Sequence, residues 1–251
     1  MARTALITGA SSGIGRAAAI RLAAEGYRLV LVARSRERLE QVAQETGGEA
    51  RPCDASDGDA ALAVARDSGD VDVLVNAAGA GAWKRVEETP PSEALDMMRA
   101  PYLAAFNFTH AVLPGMLARK AGVLVHVGSP ASLVPWPSSA GYAAARFALR
   151  GLNEALRQDL HGSGVHSCHV VFGKVDSPYF ETNENAEDRF PGVGRLVRAI
   201  SPEEAAGVIW DTVRRPRHEV YHPLMLRVNR RLFAVAPGLT RWLLRTTGHS
   251  R

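Results

Sequence analysis

Three side chains carry the chemistry most visible in this chain: Ser129, Tyr142 and Arg146. Tyr142 and Arg146 are four residues apart in GYAAARFAL, a run that reads as helix, so the phenol and the guanidinium stand one above the other on one face. A cation beside a phenol favours the ionised form, which lets a tyrosine act as a catalytic acid or base. Ser129 precedes Tyr142 by thirteen residues and ends the run VLVHVGS. Its hydroxyl could hydrogen-bond a substrate oxygen and steady charge that develops there. Arginine stays charged but does not give up a proton under ordinary conditions. The cation at position 146 can therefore hold a charge in place without relaying protons.

The elements that must position these groups alternate. TALITG, YRLVLVARS, DVDVLVNAAG, VLVHVGS and VHSCHVVFG read as buried strands. RAAAIRLAAEG, SRERLEQVAQETGG, SEALDMMRAPYLAAFNFTHAVLPGML and AAARFALRGLNEALRQDL read as helices between them. Ser35 is placed as the N-cap of the second helix, with glycines beyond its end. Ser201-Pro202-Glu203-Glu204 starts a later helix, with Ser201 as N-cap and Pro202 at the first helical position. Strand–helix alternation predicts an α/β fold: a doubly wound parallel sheet with helices on both faces, in a single domain. Residues 1–213 are expected to form the dinucleotide-binding and catalytic domain. Residues 178–200 are a polar substrate loop within it, and 214–251 a basic, amphipathic C-terminal extension.

The first βα turn is TGASSGIG. Gly9 permits the tight turn, Gly13 allows close approach of a pyrophosphate, and Gly15 lets the helix pack on the strand. The free N–H groups around Ser11, Ser12, Gly13 and Ile14 would face the anion. Arg34 follows Gly15 by nineteen residues, at the end of the second strand. A guanidinium there matches a 2′-phosphate, so NADP(H) is expected in preference to NAD(H).

TGASSGIG, the CDAS containing Asp54, the NAAG of residues 76–79, and Ser129 thirteen residues before Tyr142 occur in order over about residues 3–213. Together they resemble the short-chain dehydrogenase/reductase family. The resemblance implies a nicotinamide cofactor along the C-terminal edge of the sheet and hydride transfer to or from a carbonyl or alcohol carbon. It implies that Ser129, Tyr142 and Arg146 form the catalytic set, with Tyr142 as acid/base, and that Tyr142 and Arg146 also bind the cofactor, Arg146 through the nicotinamide ribose hydroxyls. Asp54 would hold the adenine, and Asn76, Ala77 and Gly79 would support the cofactor or the central strand. Gly173, Val175 and Ser177 match the loop that covers the nicotinamide, with Phe172 where proline is usual. Two further positions depart from the family: Arg146 replaces the lysine of YxxxK, and Pro101 replaces an asparagine at a helix bend. The alternative reading is a dinucleotide-binding homologue with weak or no redox turnover.

Composition bounds the rest. The chain has 251 residues, 46% hydrophobic and 22% charged, as in ordinary globular domains. Cys53 and Cys168 are far apart, so reduced thiols and a cytoplasmic setting are expected. No run of 18 apolar residues occurs, so no transmembrane helix is expected, and MARTALITGA does not read as a signal peptide. From Arg214 onward nine arginines face one acid, Glu219, a balance of +8 within a net +4. The helical spacing of Leu224, Val228, Leu232 and Val235, followed by Leu239, Trp242 and Leu243, fits either a lid packed on the substrate loop or peripheral contact with an anionic membrane. Charge alone does not make a nucleic-acid site, and none is expected. His126, His166 and His169 have no ligand-like spacing and are read as structural, so no metal is expected. Leu133, Trp136, Phe180 and Phe190 point to an apolar pocket for a lipophilic carbonyl or alcohol. The family resemblance implies a homodimer or homotetramer through the helices near 97–117 and 142–160.

Overall fold

The computed structural model describes residues 2–179, 183, 185, 186 and 188–248. Seven parallel strands form one sheet: β1 (Thr4–Thr8), β2 (Arg28–Ala33), β3 (Glu49–Pro52), β4 (Val73–Asn76), β5 (Gly122–Gly128), β6 (Val165–Phe172) and β7 (Glu219–His222), in the order 3-2-1-4-5-6-7. The order reverses between β1 and β4, so a crevice opens there at the carboxyl ends of the strands.

Side chains alternate across the sheet with the period of two that a strand imposes. Ala5 and Ile7 point to one face with Leu29, Leu31 and Val75, beneath α1 (Gly13–Ala24), α2 (Arg36–Thr46) and α7 (Pro202–Arg214). Leu6 points to the other with Val30, Leu74 and Leu124, beneath α3 (Gly58–Ser68), α5 (Ala104–Arg119) and α6 (Ala140–Asp159). Both faces are covered, and the central strands are accordingly almost wholly apolar.

The helix ends follow local chemistry. Gly47 closes α2 in the left-handed region at φ 67°. Asp57 caps α3 by accepting from the N–H groups of Asp59 and Ala60. Ser201 caps α7 by accepting from the Glu204 N–H at 3.1 Å. The Glu204 carboxylate does not close a capping box. It pairs with Arg198 and His222 instead.

Two elements depart from the sequence reading. The strand EARP (β3) is short and only half buried, and β7 lies inside the segment set apart as the extension. Because Val220 and Tyr221 are buried against β6, residues 219–222 belong to the sheet, and the projecting part begins at Leu224. The helical run SEALDMMRAPYLAAFNFTHAVLPGML bends at Pro101, where the family resemblance implies a bend. α4 (Pro91–Met98) ends in a π-helical turn at Arg99–Leu103, and Ala100 is non-helical (φ −132°, ψ 112°). A residue before proline is pushed out of the α region, so Pro101 itself places the bend.

After β7, α8 (Leu224–Val235) and α9 (Pro237–Thr247) form a helical pair. α9 rests on the substrate loop, where the Val193 N–H donates to Thr247 Oγ1 at 3.3 Å. No helix among the described residues is long and apolar enough to cross a membrane.

Candidate active site

A cavity of about 810 Å³ lies in the crevice at the carboxyl ends of the strands. Its floor near β1 is the glycine turn. Gly9 and Gly13 have positive φ, 68° and 50°. A Cβ on Gly15 would stand 2.2 Å from the Gly9 carbonyl oxygen, so only glycine lets α1 start this close to β1. The Ser12 side chain makes no cap bond, which leaves the first N–H groups of α1 facing the cavity. That donor cradle fits a pyrophosphate.

Arg34 lies exposed at the end of β2 on the cavity wall. Arg38, one turn into α2, lines the same corner, and Arg99 lines the wall beyond Asp54. Sequence reading missed both; Arg38 was signalled by its four-residue offset from Arg34. Burial works against the Asp54 charge, yet hydrogen bonds from the Ser56 N–H and hydroxyl, with Arg34 and Arg99 nearby, hold its carboxyl below the usual range. Ala77, Gly79, Gly173, Val175 and Ser177 also reach the cavity. Asn76 does not. It is buried in β4, where its Nδ2 lies 3.2 Å from His126 Nδ1 and 3.5 Å from Thr109 Oγ1.

The reacting end is assembled by β5 and α6. Ser129 follows β5, and its Oγ accepts from the Ala131 N–H at 3.3 Å, which leaves its own proton to donate. Tyr142 and Arg146 stand on adjacent turns of α6, both buried. The guanidinium lies 5.0 Å from the Tyr142 ring centre, and its Nη1 donates to the Val127 carbonyl at 3.3 Å. A Cβ on Gly79 would come within 2.9 Å of Arg146 Nη2, so the NAAG turn needs glycine to admit this larger cation. Burial works against the Arg146 charge, and the phenols of Tyr142 and Tyr179 beside it outweigh that penalty, so its pKa lies above even the usual high value.

Tyr179 was not singled out from sequence. It lies within hydrogen-bonding reach of Tyr142, and burial, with Tyr142 close by, pushes its phenol far above the usual tyrosine value. Above Tyr142 sits an aromatic cover. Trp83 packs 5.6 Å from the Tyr142 ring, Trp136 4.8 Å from Trp83, and Phe190 stacks on Trp83 at 5.7 Å and 20°. Arg189 fastens this arrangement by donating to the Trp83 carbonyl at 3.1 Å and pairing with Glu88. The Gly81 N–H donates to Asn183 Oδ1 at 2.7 Å. Phe180, also expected here, lies outside the described residues. Trp83 offered a weak sequence signal, one aromatic in a small-residue loop, that only the fold turns toward Tyr142.

Pro101 is buried at the bend, and its carbonyl accepts from the Ala104 N–H within the π-helical turn. Among the described residues no cluster of His, Cys, Asp or Glu is arranged to hold a metal.

Comparison with known proteins agrees with this geometry. A family model described as short chain dehydrogenase matches residues 3–188. An uncharacterized oxidoreductase of Mycobacterium tuberculosis is 36% identical over 86% of this chain, which spans 65% of that relative's length. A solved short-chain dehydrogenase from Streptomyces avermitilis superposes with a TM-score of 0.83 at 26% identity, over 96% of this chain and 97% of its own. A metagenomic short-chain oxidoreductase in complex with NADP gives a TM-score of 0.73 at 31% identity, over 87% of this chain and 96% of its own. With the family model matched over residues 3–188, this chain belongs to the short-chain dehydrogenase/reductase family.

Proposed function

We propose that the protein is an NADP(H)-dependent oxidoreductase that moves a hydride between the nicotinamide and a carbonyl or alcohol carbon of a lipophilic small molecule. The observation that carries this reading is one cavity holding the phosphate turn, Arg34 and the Ser129–Tyr142–Arg146 set. The likeness to a solved relative in complex with NADP supports the cofactor. Bound NADPH would supply the hydride. The chain's own residues do the rest. Arg34 and Arg38 hold the 2′-phosphate, and the N–H groups at the start of α1 hold the pyrophosphate. Ser129 Oγ donates to the substrate oxygen, and Tyr142 Oη delivers the proton that the developing alkoxide needs. Arg146 keeps a fixed positive charge beside Tyr142. Trp83, Trp136 and Phe190 exclude water and favour an apolar or aromatic substrate.

The test is NADPH oxidation with a panel of aromatic ketones and quinones, beside Arg146→Lys. Turnover by the wild-type protein is expected. Tight NADPH binding with no turnover, restored only by Arg146→Lys, would overturn the reading and leave a dinucleotide-binding protein in its place.

Two assembly features complete the proposal. Phe106 on α5 and Phe147 on α6 are 45% and 42% exposed, which fits a homodimer or homotetramer through these helices. Light scattering of a Phe106→Glu/Phe147→Glu variant is expected to give monomers. On α8 and α9, Leu224, Val228, Val235 and Trp242 stay exposed among the arginines, a face suited to an anionic lipid surface. Co-sedimentation with phosphatidylserine vesicles is expected for the full chain and lost in Val228→Glu/Trp242→Glu; equal pelleting of both would exclude lipid as its partner.

A further inference from the structure

Each reduction removes a proton from Tyr142, and a proton must return before the next. Arg146 cannot carry it, because a guanidinium does not deprotonate under these conditions. A second set of buried polar groups lies between β6 and α6, which packs on it. His169 on β6 is fully buried, and its ring lies against Gly128: a Cβ there would stand 2.1 Å from His169 Nε2. Both ring nitrogens of His169 and Nε of Arg146 are buried with no protein partner. Three such atoms along one seam are costly unless water meets them.

The seam continues down the sheet. Ser167 lies two residues before His169 and so faces the same way, about 7 Å along the strand. That gap suits one bridging water between hydroxyl and imidazole. Ser167 Oγ donates to Asn153 Oδ1 at 2.8 Å, and Asn153, itself fully buried, reaches His218 Nδ1 at 3.5 Å. His218 Nε2 stands 3.2 Å from Glu154, whose side chain is 41% exposed. Ser167 and His218 line a second cavity of about 330 Å³ at the opposite edge of the sheet from the active site. One face of α6 therefore spans from Tyr142 to Asn153, about 16 Å, between the two cavities.

We propose that a hydrogen-bonded file of Ser167, His169 and bridging water, positioned by Asn153, returns protons to Tyr142 from the second cavity. The inference rests on the oxidoreductase reading above. In each transfer a proton reaches one ring nitrogen of His169 as the proton on the other leaves to a bridging water, which passes it by Arg146 to the Tyr142 oxygen. The net charge is unchanged, and the ring ends in its other tautomer and must turn before the next transfer. His169 is suited to this neutral exchange. Burial holds its imidazolium pKa down to about 3, with His126, Arg150, Arg146 and His218 adding to the effect. His126, its neighbour in register on β5, is likewise held at about 4 by burial. Two of the three histidines read as structural from sequence, His169 and His126, are thus a conduit and its flank.

The test uses the full chain labelled with ¹⁵N-histidine. His169 ring protons, assigned with His169→Phe, are expected to exchange with water at least about tenfold more slowly in Ser167→Ala and Asn153→Leu, and unchanged in His166→Gln. With NADPH and 1-phenyl-1,2-propanedione, the same two variants are expected to keep the wild-type amplitude of the first turnover and lose about tenfold in the steady-state rate. Unaltered ring-proton exchange in Ser167→Ala would overturn the file whatever the activity. An equal fall in first turnover and steady state would assign these residues a structural role instead. Absence of any wild-type turnover across ketones and quinones would overturn the oxidoreductase reading, while the exchange measurement would still judge the file.

Discussion

The two ends of the main cavity are built in opposite ways. The cofactor end comes from one short segment. Gly9 to Gly15 turn, approach and start a helix within seven residues, and Arg34 and Arg38 follow one strand later. The substrate end is assembled from distant pieces. Trp83, Trp136, Tyr142, Tyr179 and Phe190 come from separate loops and α6, and meet only because β4, β5 and β6 are neighbours. A local device tolerates little change and is readable in advance. A composite device can vary piece by piece.

Substitutions can break that contrast. The largest effect is expected where both ends meet. Tyr142→Phe should lower the NADPH oxidation rate by about 10²–10⁴-fold, with NADPH affinity in a fluorescence titration unchanged. Arg34→Ala should weaken NADPH binding by roughly 10–100-fold and leave NADH binding nearly untouched, since one charged hydrogen-bonding group is removed from a single corner. An equal loss for both cofactors would show that the corner does not read the 2′-phosphate.

Acid should act on the substrate side. His126 and His169 ionise in the folded protein only near pH 4 and 3, against about 6.5 when unfolded. Their stabilising contribution is complete above about pH 6.5 and is lost as pH falls toward those values. Urea denaturation at pH 5 against pH 7.5 should give a loss of roughly 2 kcal/mol for each histidine. His126→Asn should remove about half of that pH dependence. The smallest effect is expected from Phe190→Ala. Loss of one aromatic stack should raise KM for an aromatic ketone several-fold, an effect of about 1 kcal/mol, without moving NADPH affinity.

Legibility in the sequence follows the same division. The apolar runs at 4–9, 27–35, 70–79, 123–129 and 165–173 announce five strands, because a strand buried on both faces has no polar alternation to confuse it. EARP and EVYH escape notice because a four-residue strand with charged ends has neither length nor pattern. The bend at Ala100 was foreseeable from Pro101, although the helical run on either side hides it. TGASSGIG and the Ser129–Tyr142 spacing bring named residues to one cavity, while Asn76 turns into the core. Tyr179 and Trp83 could not be assigned from spacing, since their approach to Tyr142 depends on loop paths. The apolar positions of the C-terminal helices were read by period alone. Period does not say which face is covered, and Val228 and Val235 turn out exposed.

The cover over Tyr142 has an optical consequence. Two of the chain's four tryptophans, Trp83 and Trp136, flank the reacting phenol, whereas Trp210 packs on Tyr27 and Trp242 lies exposed on α9. A reduced nicotinamide placed against Tyr142 would sit within energy-transfer range of that indole pair. The protein thus carries its own reporter of cofactor docking, one that needs neither a label nor a known substrate.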